Sequence, residues 1–185
     1  MLKLSQCDFD AIRAHGEETY PHECCGILLG TGEGDKREVK QTVRAGNTRS
    51  DRPADRYNIA PEELIRAQRQ AREQGLDIIG FYHSHPDCPA EWSLTDLAEA
   101  HWLGCSYVIT SVEQGKAART NSFALLGTSE EKKYFEDERL EVALPAVAAM
   151  ARVSPAQQAG NTTESADAQR DRMPQSERMR KTRAC

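Results

Sequence analysis

The sequence predicts a mixed α/β layered domain, a β-sheet flanked by helices, and three stretches carry that expectation. Glu23 to Gly30 is a short apolar run bounded by glycines, the pattern of a buried strand. Residues 61–75 open on Pro61, Glu62 and Glu63, set Leu64, Ala67 and Ala71 on one side and stop at Gly75, as a helix with both end signals does. Residues 77–83 are nearly continuously apolar, as in a strand covered on both faces. Helix and strand periods therefore interleave, which is the mark of a layered α/β domain.

At 185 residues the chain is long enough for one domain with a real core and too short for two comfortable ones. Residues 1–148 are assigned to that domain and residues 149–185 to a mildly basic tail. Beyond residue 150 the composition turns to Ala, Gln, Ser, Thr, Asp and Arg without an aromatic residue, too little apolar surface to offset ordering entropy, so the tail is expected to be disordered. Hydrophobic residues make up 38% of the chain, and no run of them approaches the length of a membrane span. Met1-Leu2-Lys3-Leu4-Ser5 leads into polar residues within a few positions, without the apolar stretch of a secretion signal, so a cytoplasmic protein is expected. Cysteines 7, 24, 25, 88, 105 and 185 include no C-x-x-C pair, so neither a disulfide framework nor a thiolate zinc knuckle is indicated, and most are expected to be reduced thiols, several of them buried. The formal net charge is -5, and residues 152–183 hold seven Lys/Arg against four Asp/Glu, leaving about -8 on the body. An acidic body argues against duplex nucleic acid as the main partner.

Taken in order, Ser5 is a cap candidate for a weakly amphipathic helix over residues 5–20, with Phe9 and Ile12 on one side and Pro21 beyond its end. After the Glu23–Gly30 strand, Thr31-Gly32-Glu33-Gly34-Asp35 has neither the lysine nor the spacing of a phosphate cradle and reads as a hairpin loop, with residues 37–45 as the return strand. The arginine-rich stretch 47–56 reads as a mobile, solvated connection. In the helix that follows, Arg66, Arg69 and Arg72 face water. Leu94, Leu97, Ala98, His101 and Trp102 fall on one helical stripe closed by Gly104. Residues 107–112 and 122–126 read as strands, with Gly115 in the turn between them. From 130 to 144 the pattern divides: the charged first half suits a helix, whereas Leu140, Val142 and Leu144 alternate as in a strand.

The chemistry concentrates between Ile78 and Asp96. In a strand His83 and His85 project to one face, about 6 to 7 Å apart along the chain, close enough to converge on one ion. A lone histidine there would read as a hydrogen-bonded core residue; a pair followed by Pro86 and a further oxygen donor favours a metal. Ser93-Leu94-Thr95-Asp96 is by itself close to a capping box at a helix start. Ser93 and Asp96 also share a face of the first turn, so Asp96 can cap the helix and aim at the histidines together. Two imidazoles, one carboxylate and an open position make the ligand set of catalytic zinc, which brings the pKa of bound water from about 15.7 to about 7. Such chemistry needs a carboxylate that is not a ligand to carry the proton, and Glu23, at the mouth of a buried strand, is the candidate.

Glu23, His83-Ser84-His85-Pro86, the seven residues from Pro86 to Trp92, and Ser93-Leu94-Thr95-Asp96 match the JAMM (MPN+) metallopeptidase signature in order and spacing, and the chain resembles that family over about residues 1–145. Pro21 to Gly30 looks like the first strand of its short prokaryotic members. The resemblance implies the MPN/JAMM fold, a cytidine-deaminase-like layered architecture. It implies zinc on His83, His85 and Asp96, Glu23 as general base and then acid, and Ser93 as hydrogen-bond donor to the tetrahedral oxyanion. The implied reaction is hydrolysis of an amide or isopeptide bond after the C-terminal glycines of a ubiquitin-like protein. In the short bacterial members that partner is a sulfur carrier, and the reaction releases an attached amino acid such as cysteine or trims the carrier tail. The chain has no room for the long insertions that give relatives polyubiquitin linkage choice, and its tail falls outside the resemblance. Monomer and homodimer are both open.

Two rival readings stand beside this one. A non-catalytic MPN-like binding module predicts a broken ligand set, and none is broken here. His83-x-His85-x-Asp87 also resembles the opening of a metallo-β-lactamase site, but Cys88 follows where a histidine is needed and only His101 lies downstream. A Cys88 thiolate would compete for a soft metal, although a loop or buried thiol is the simpler reading. Cys24 and Cys25 are expected in the core, His15 and His22 show no partner, His101 belongs to the core stripe, and Trp92 either walls the cleft or covers the core.

Overall fold

The computed structural model describes residues 1–144, so the expected tail lies outside the described residues. The chain runs β1 (Leu2–Ser5), α1 (Gln6–Thr19), β2 (Cys25–Glu33), β3 (Lys36–Ala45), α2 (Pro61–Glu73), β4 (Asp77–Pro86), α3 (Leu94–Glu99), β5 (Ser106–Glu113), β6 (Lys116–Leu126), a 3-10 turn at Glu130–Lys132, β7 (Tyr134–Glu138) and β8 (Leu140–Ala143). The strands form one 8-stranded mixed sheet in the order β7-β6-β5-β4-β2-β3-β1-β8. The pairs β4–β5, β1–β3 and β1–β8 are parallel, and the other neighbours are antiparallel. This is the mixed α/β architecture that the interleaved patterns predict.

Alternation along the central strands sorts their side chains into two cores. Cys25, Ile27, Leu29 and Phe81 pack with Ala67 and Ala71 of α2 and with Leu97 of α3. Cys24, Leu28, Tyr82 and Val108 pack with Ile12 of α1 and with Leu2 and Leu4 of β1. Burial on both sides is why residues 77–83 read as an unbroken apolar run. Gly26 belongs to this arrangement, since a Cβ there would lie 2.2 Å from the Tyr82 ring.

The end signals act as expected. Ser5 Oγ accepts the Asp8 N–H at 3.0 Å and caps α1. Pro61 opens α2, and Gly75 at φ 67 follows its end. Gln114 and Gly115, at φ 50 and 80, supply the two left-handed residues of a tight turn between β5 and β6.

Other elements depart from expectation. β1 is too short to show a period of its own, yet β3 and β8 flank it and bury Leu2 and Leu4. β2 and β3 stay paired out to Glu33 and Lys36, so residues 31–33 are strand rather than loop. The helical stripe ending at Trp102 does not form: α3 stops at Glu99 and Ala100 turns extended. Leu94, Ala98 and His101 are exposed, because this short helix turns Leu97 toward the core and leaves Leu94 and Ala98 on the outside. In the charged stretch after residue 130, the 3-10 turn gives way to β7, where pairing with β6 carries Phe135 into the core. Among the described residues no helix is long and apolar enough to cross a membrane.

Candidate active site

The site begins with the pairing of β2 and β4. Cys25 lies opposite His83 in antiparallel register, where β2 begins, and Glu23, two residues before it, is close enough to feel the charges of His85 and Asp96. Beyond the last paired residue of β2, Ser84 N–H donates to the Cys24 carbonyl at 3.2 Å and Cys24 N–H to Ser84 Oγ at 2.9 Å. Alternation then sends Glu23, His83 and His85 to the face covered by α2 and α3, and all three are buried.

β4 ends at Pro86, and Asp87 at φ 53 turns the chain away. The Asp87 carboxylate accepts from the Tyr20 hydroxyl and from Gln114 N–H, each at 2.8 Å, which pins the exit of the strand. The loop returns as α3 with a complete capping box: Asp96 N–H donates to Ser93 Oγ at 3.1 Å, and Ser93 N–H to Asp96 Oδ2 at 2.6 Å. Capping leaves Asp96 facing the histidines. His83 Nε2 lies 3.3 Å from Asp96 Oδ1, His85 Nε2 3.6 Å from Asp96 Oδ2, and the two Nε2 atoms are 3.0 Å apart. Ligand atoms of these three residues all lie within 4.8 Å of one another. Neither Cys88 nor Asp87 belongs to the cluster, and His101 pairs at the surface with Glu130 at 3.2 Å. The opening that resembles a metallo-β-lactamase therefore lacks its convergence.

Burial opposes charge throughout the site, and the neighbours decide each outcome. Burial pushes the Glu23 carboxyl up to about 8, with His85 pulling against it and Asp96 adding to it. Burial would raise Asp96 as well, but His83 and His85 hold its carboxyl well below the usual range. Burial lowers His83, whereas at His85 the hydrogen bond and charge of Asp96 overcome burial and raise it. Two carboxyl groups in one cleft are thus driven apart, Glu23 toward its protonated form and Asp96 toward its anion.

His85 Nδ1 lies 2.9 Å from the Pro89 carbonyl, so Nδ1 carries the hydrogen and Nε2 offers its lone pair to the cluster. Imidazole lone pairs and carboxylate oxygens aimed at one point repel unless a cation or proton lies between them. This donor set fits a divalent cation of the zinc type.

Sequence reasoning missed residues that frame the site. Tyr57, next to the stretch read as a solvated connection, stacks on His83 with ring centroids 4.6 Å apart and planes at 27°. It also lines a pocket of about 290 Å³ together with Phe81, Trp102 and Tyr107. The available signal was an aromatic residue beside an arginine-rich loop. Asn47 likewise reaches the Glu23 carbonyl, at 3.3 Å. The Pro89 carbonyl carried no signal, since every residue has one. Cys24 and Cys25 are buried in the cores as expected, and His22 is exposed. Trp92 packs on Phe135 at 5.7 Å and so covers the core, and His15 is buried with a hydrogen-bond partner in Tyr82.

A family profile described as prokaryotic homologs of the JAB domain matches residues 6–126. The chain is 35% identical over 114 residues to a desampylase of Haloferax volcanii, a match covering 60% of this chain and 80% of that protein. It is 33% identical over 105 residues to a probable TtuB-protein conjugate cleaving protease of Thermus thermophilus, covering 57% of this chain and 66% of that one. The solution structure of a Desulfitobacterium hafniense protein superposes with a TM-score of 0.63 at 28% identity, over 78% of this chain and 93% of that one.

Proposed function

Because the chain belongs to the family of prokaryotic homologs of the JAB domain, we propose that it is a cytoplasmic zinc-dependent isopeptidase acting on a ubiquitin-like sulfur carrier. The bond hydrolysed is the amide after the carrier's C-terminal glycines, and the leaving amine is a lysine side chain or a free amino acid such as cysteine. One observation carries the reading: Asp96 converges with His83 and His85 while the carboxyl of buried Glu23 interacts with both His85 and Asp96. The names of the Haloferax and Thermus relatives support the substrate class.

His83 and His85 through Nε2, and Asp96 through its carboxylate, would hold the zinc. Bound there, zinc supplies Lewis-acid polarisation of the scissile carbonyl and activation of water. Glu23 takes a proton from the attacking water and returns it to the leaving amine, a role suited to a buried carboxyl that is not a ligand and that interacts with His85 and Asp96. Ser93 Oγ accepts the Asp96 N–H with a lone pair, so its hydroxyl hydrogen stays available to donate to the carbonyl oxygen as negative charge develops there. Loss of such a donor costs about 2.7 to 4 kcal/mol of transition-state stabilisation.

The test is mass spectrometry of TtuB joined through its C-terminus to a lysine peptide, incubated with the zinc-loaded protein. Release of intact carrier and peptide is expected. Glu23→Gln should keep stoichiometric zinc while hydrolysis falls by about 10²- to 10⁴-fold. Full hydrolysis by that variant would remove Glu23 from its role, and hydrolysis without zinc would remove the mechanism.

A further inference from the structure

Residues 47–59, between β3 and α2, touch each part of this site without supplying a group to it. The segment is knotted at Asn47, whose side-chain amide donates to the Arg56 carbonyl at 2.9 Å and to the Glu23 carbonyl at 3.3 Å. Its Oδ1 accepts from Arg49 N–H at 3.0 Å and Asn58 N–H at 3.2 Å, so the whole hydrogen-bonding capacity of an asparagine is engaged. The Pro53 carbonyl accepts the Glu23 N–H at 2.8 Å, and both backbone groups of Glu23 are therefore held by this one segment. Arg49 and Arg56 approach Glu99, at the end of the helix that carries Asp96, at 3.8 and 3.3 Å.

The two histidines differ in what holds them. His85 is anchored through Nδ1 by the Pro89 carbonyl, the usual way a ligating histidine is oriented. His83 Nδ1 is buried, and no group among the described residues hydrogen-bonds to it. Its ring is held by the Tyr57 face instead, since rotation about χ2 would drive the imidazole edge into the stacked ring. We infer that residues 47–59 form a positioning strap, in which Tyr57 orients His83 for the cation and Asn47 orients Glu23 for proton transfer. The inference rests on the assignment of His83 as ligand and Glu23 as proton carrier. Tyr57 and Asn47 are positioning residues, each acting through another side chain.

Zinc affinity, read by competition with a chromophoric chelator, and kcat and KM at saturating zinc on the TtuB–lysine-peptide conjugate test the two arms separately. Tyr57→Leu should weaken zinc binding about 10-fold or more, the scale of a lost outer-shell partner, while Tyr57→Phe, which keeps the ring, should stay within about twofold of wild type. Asn47→Asp keeps the acceptors for Arg49 and Asn58 but cannot donate to Glu23, and should lower kcat about 10-fold with KM and zinc affinity unchanged. A merely structural strap would lower the melting temperature of both variants and leave zinc affinity and kcat per folded molecule unmoved, or move them together. Either result overturns the inference, as does equal zinc affinity in Tyr57→Leu and Tyr57→Phe. His83→Ala and Glu23→Gln run alongside. Zinc retention by the first or hydrolysis by the second overturns the assignment beneath the strap; if both behave as ligand and proton carrier and the split is absent, the strap alone falls.

Discussion

His15 on α1 and His85 on β4 are both buried, on opposite faces of the sheet, and their surroundings drive them in opposite directions. His15 on α1 meets the Tyr82 hydroxyl at 2.9 Å, and burial, helped by the Arg44 charge, pushes it down to about 4. It stays neutral and serves the core. His85 faces a carboxylate, and Asp96 raises it despite burial. One strand, β4, serves both sides: Tyr82 and Ser84 point to the α1 face, and His83 and His85 to the other. What separates a structural histidine from a candidate ligand here is therefore the presence of a converging carboxylate, since burial is common to both.

The sharpest way to break that contrast is Asp96→Asn. Loss of a direct ligand should exceed the roughly 10- to 100-fold affinity change of an outer-shell partner, so zinc binding should fall by more than about 100-fold in chelator competition. Asp87→Asn should leave it intact, because that carboxylate is engaged by Tyr20 and Gln114. On the other face, Gly26→Ala should destabilise the fold by about 3 kcal/mol in urea unfolding, since the new Cβ overlaps a buried tyrosine ring. Hydrolysis per folded molecule should be preserved.

The smallest effect concerns pH. His15 titrates in the folded protein at about 4, below its ordinary 6.5, so between those values the unfolded chain binds the extra proton. Stability contributed by neutral His15 is complete above that window and is lost as pH falls through it. Between pH 7 and pH 5 the loss should be about 1 to 2 kcal/mol, and His15→Gln should remove that part of the slope. An unchanged slope in the variant would show that His15 is not the group responsible.

Much of the fold was legible where a residue's role is local. Ser5, Pro61 and Gly75 mark helix ends because caps, a missing N–H and a left-handed φ act within one turn. Residues 77–83 announce a doubly covered strand because both faces must be apolar. β1 and β7 were not legible: Leu2, Leu4 and Phe135 owe their burial to strands brought from elsewhere, and a few residues carry no period of their own. The stripe ending at Trp102 misled for a related reason, since α3 stops at Glu99 and no period marks that stop.

The candidate site divides the same way. The i, i+2 spacing of His83 and His85 and the i, i+3 spacing of Ser93 and Asp96 follow from strand and helix geometry, so sequence alone determined that each pair shares a face. Only the tertiary structure decided that the faces meet, that Cys25 pairs with His83 and Cys24 with Ser84, which brings Glu23 within reach of His85, and that Tyr57 lies on His83. Those contacts join residues up to 60 positions apart, as from Cys24 to Ser84. Local chain geometry carries no information over that separation; sheet order and loop packing do.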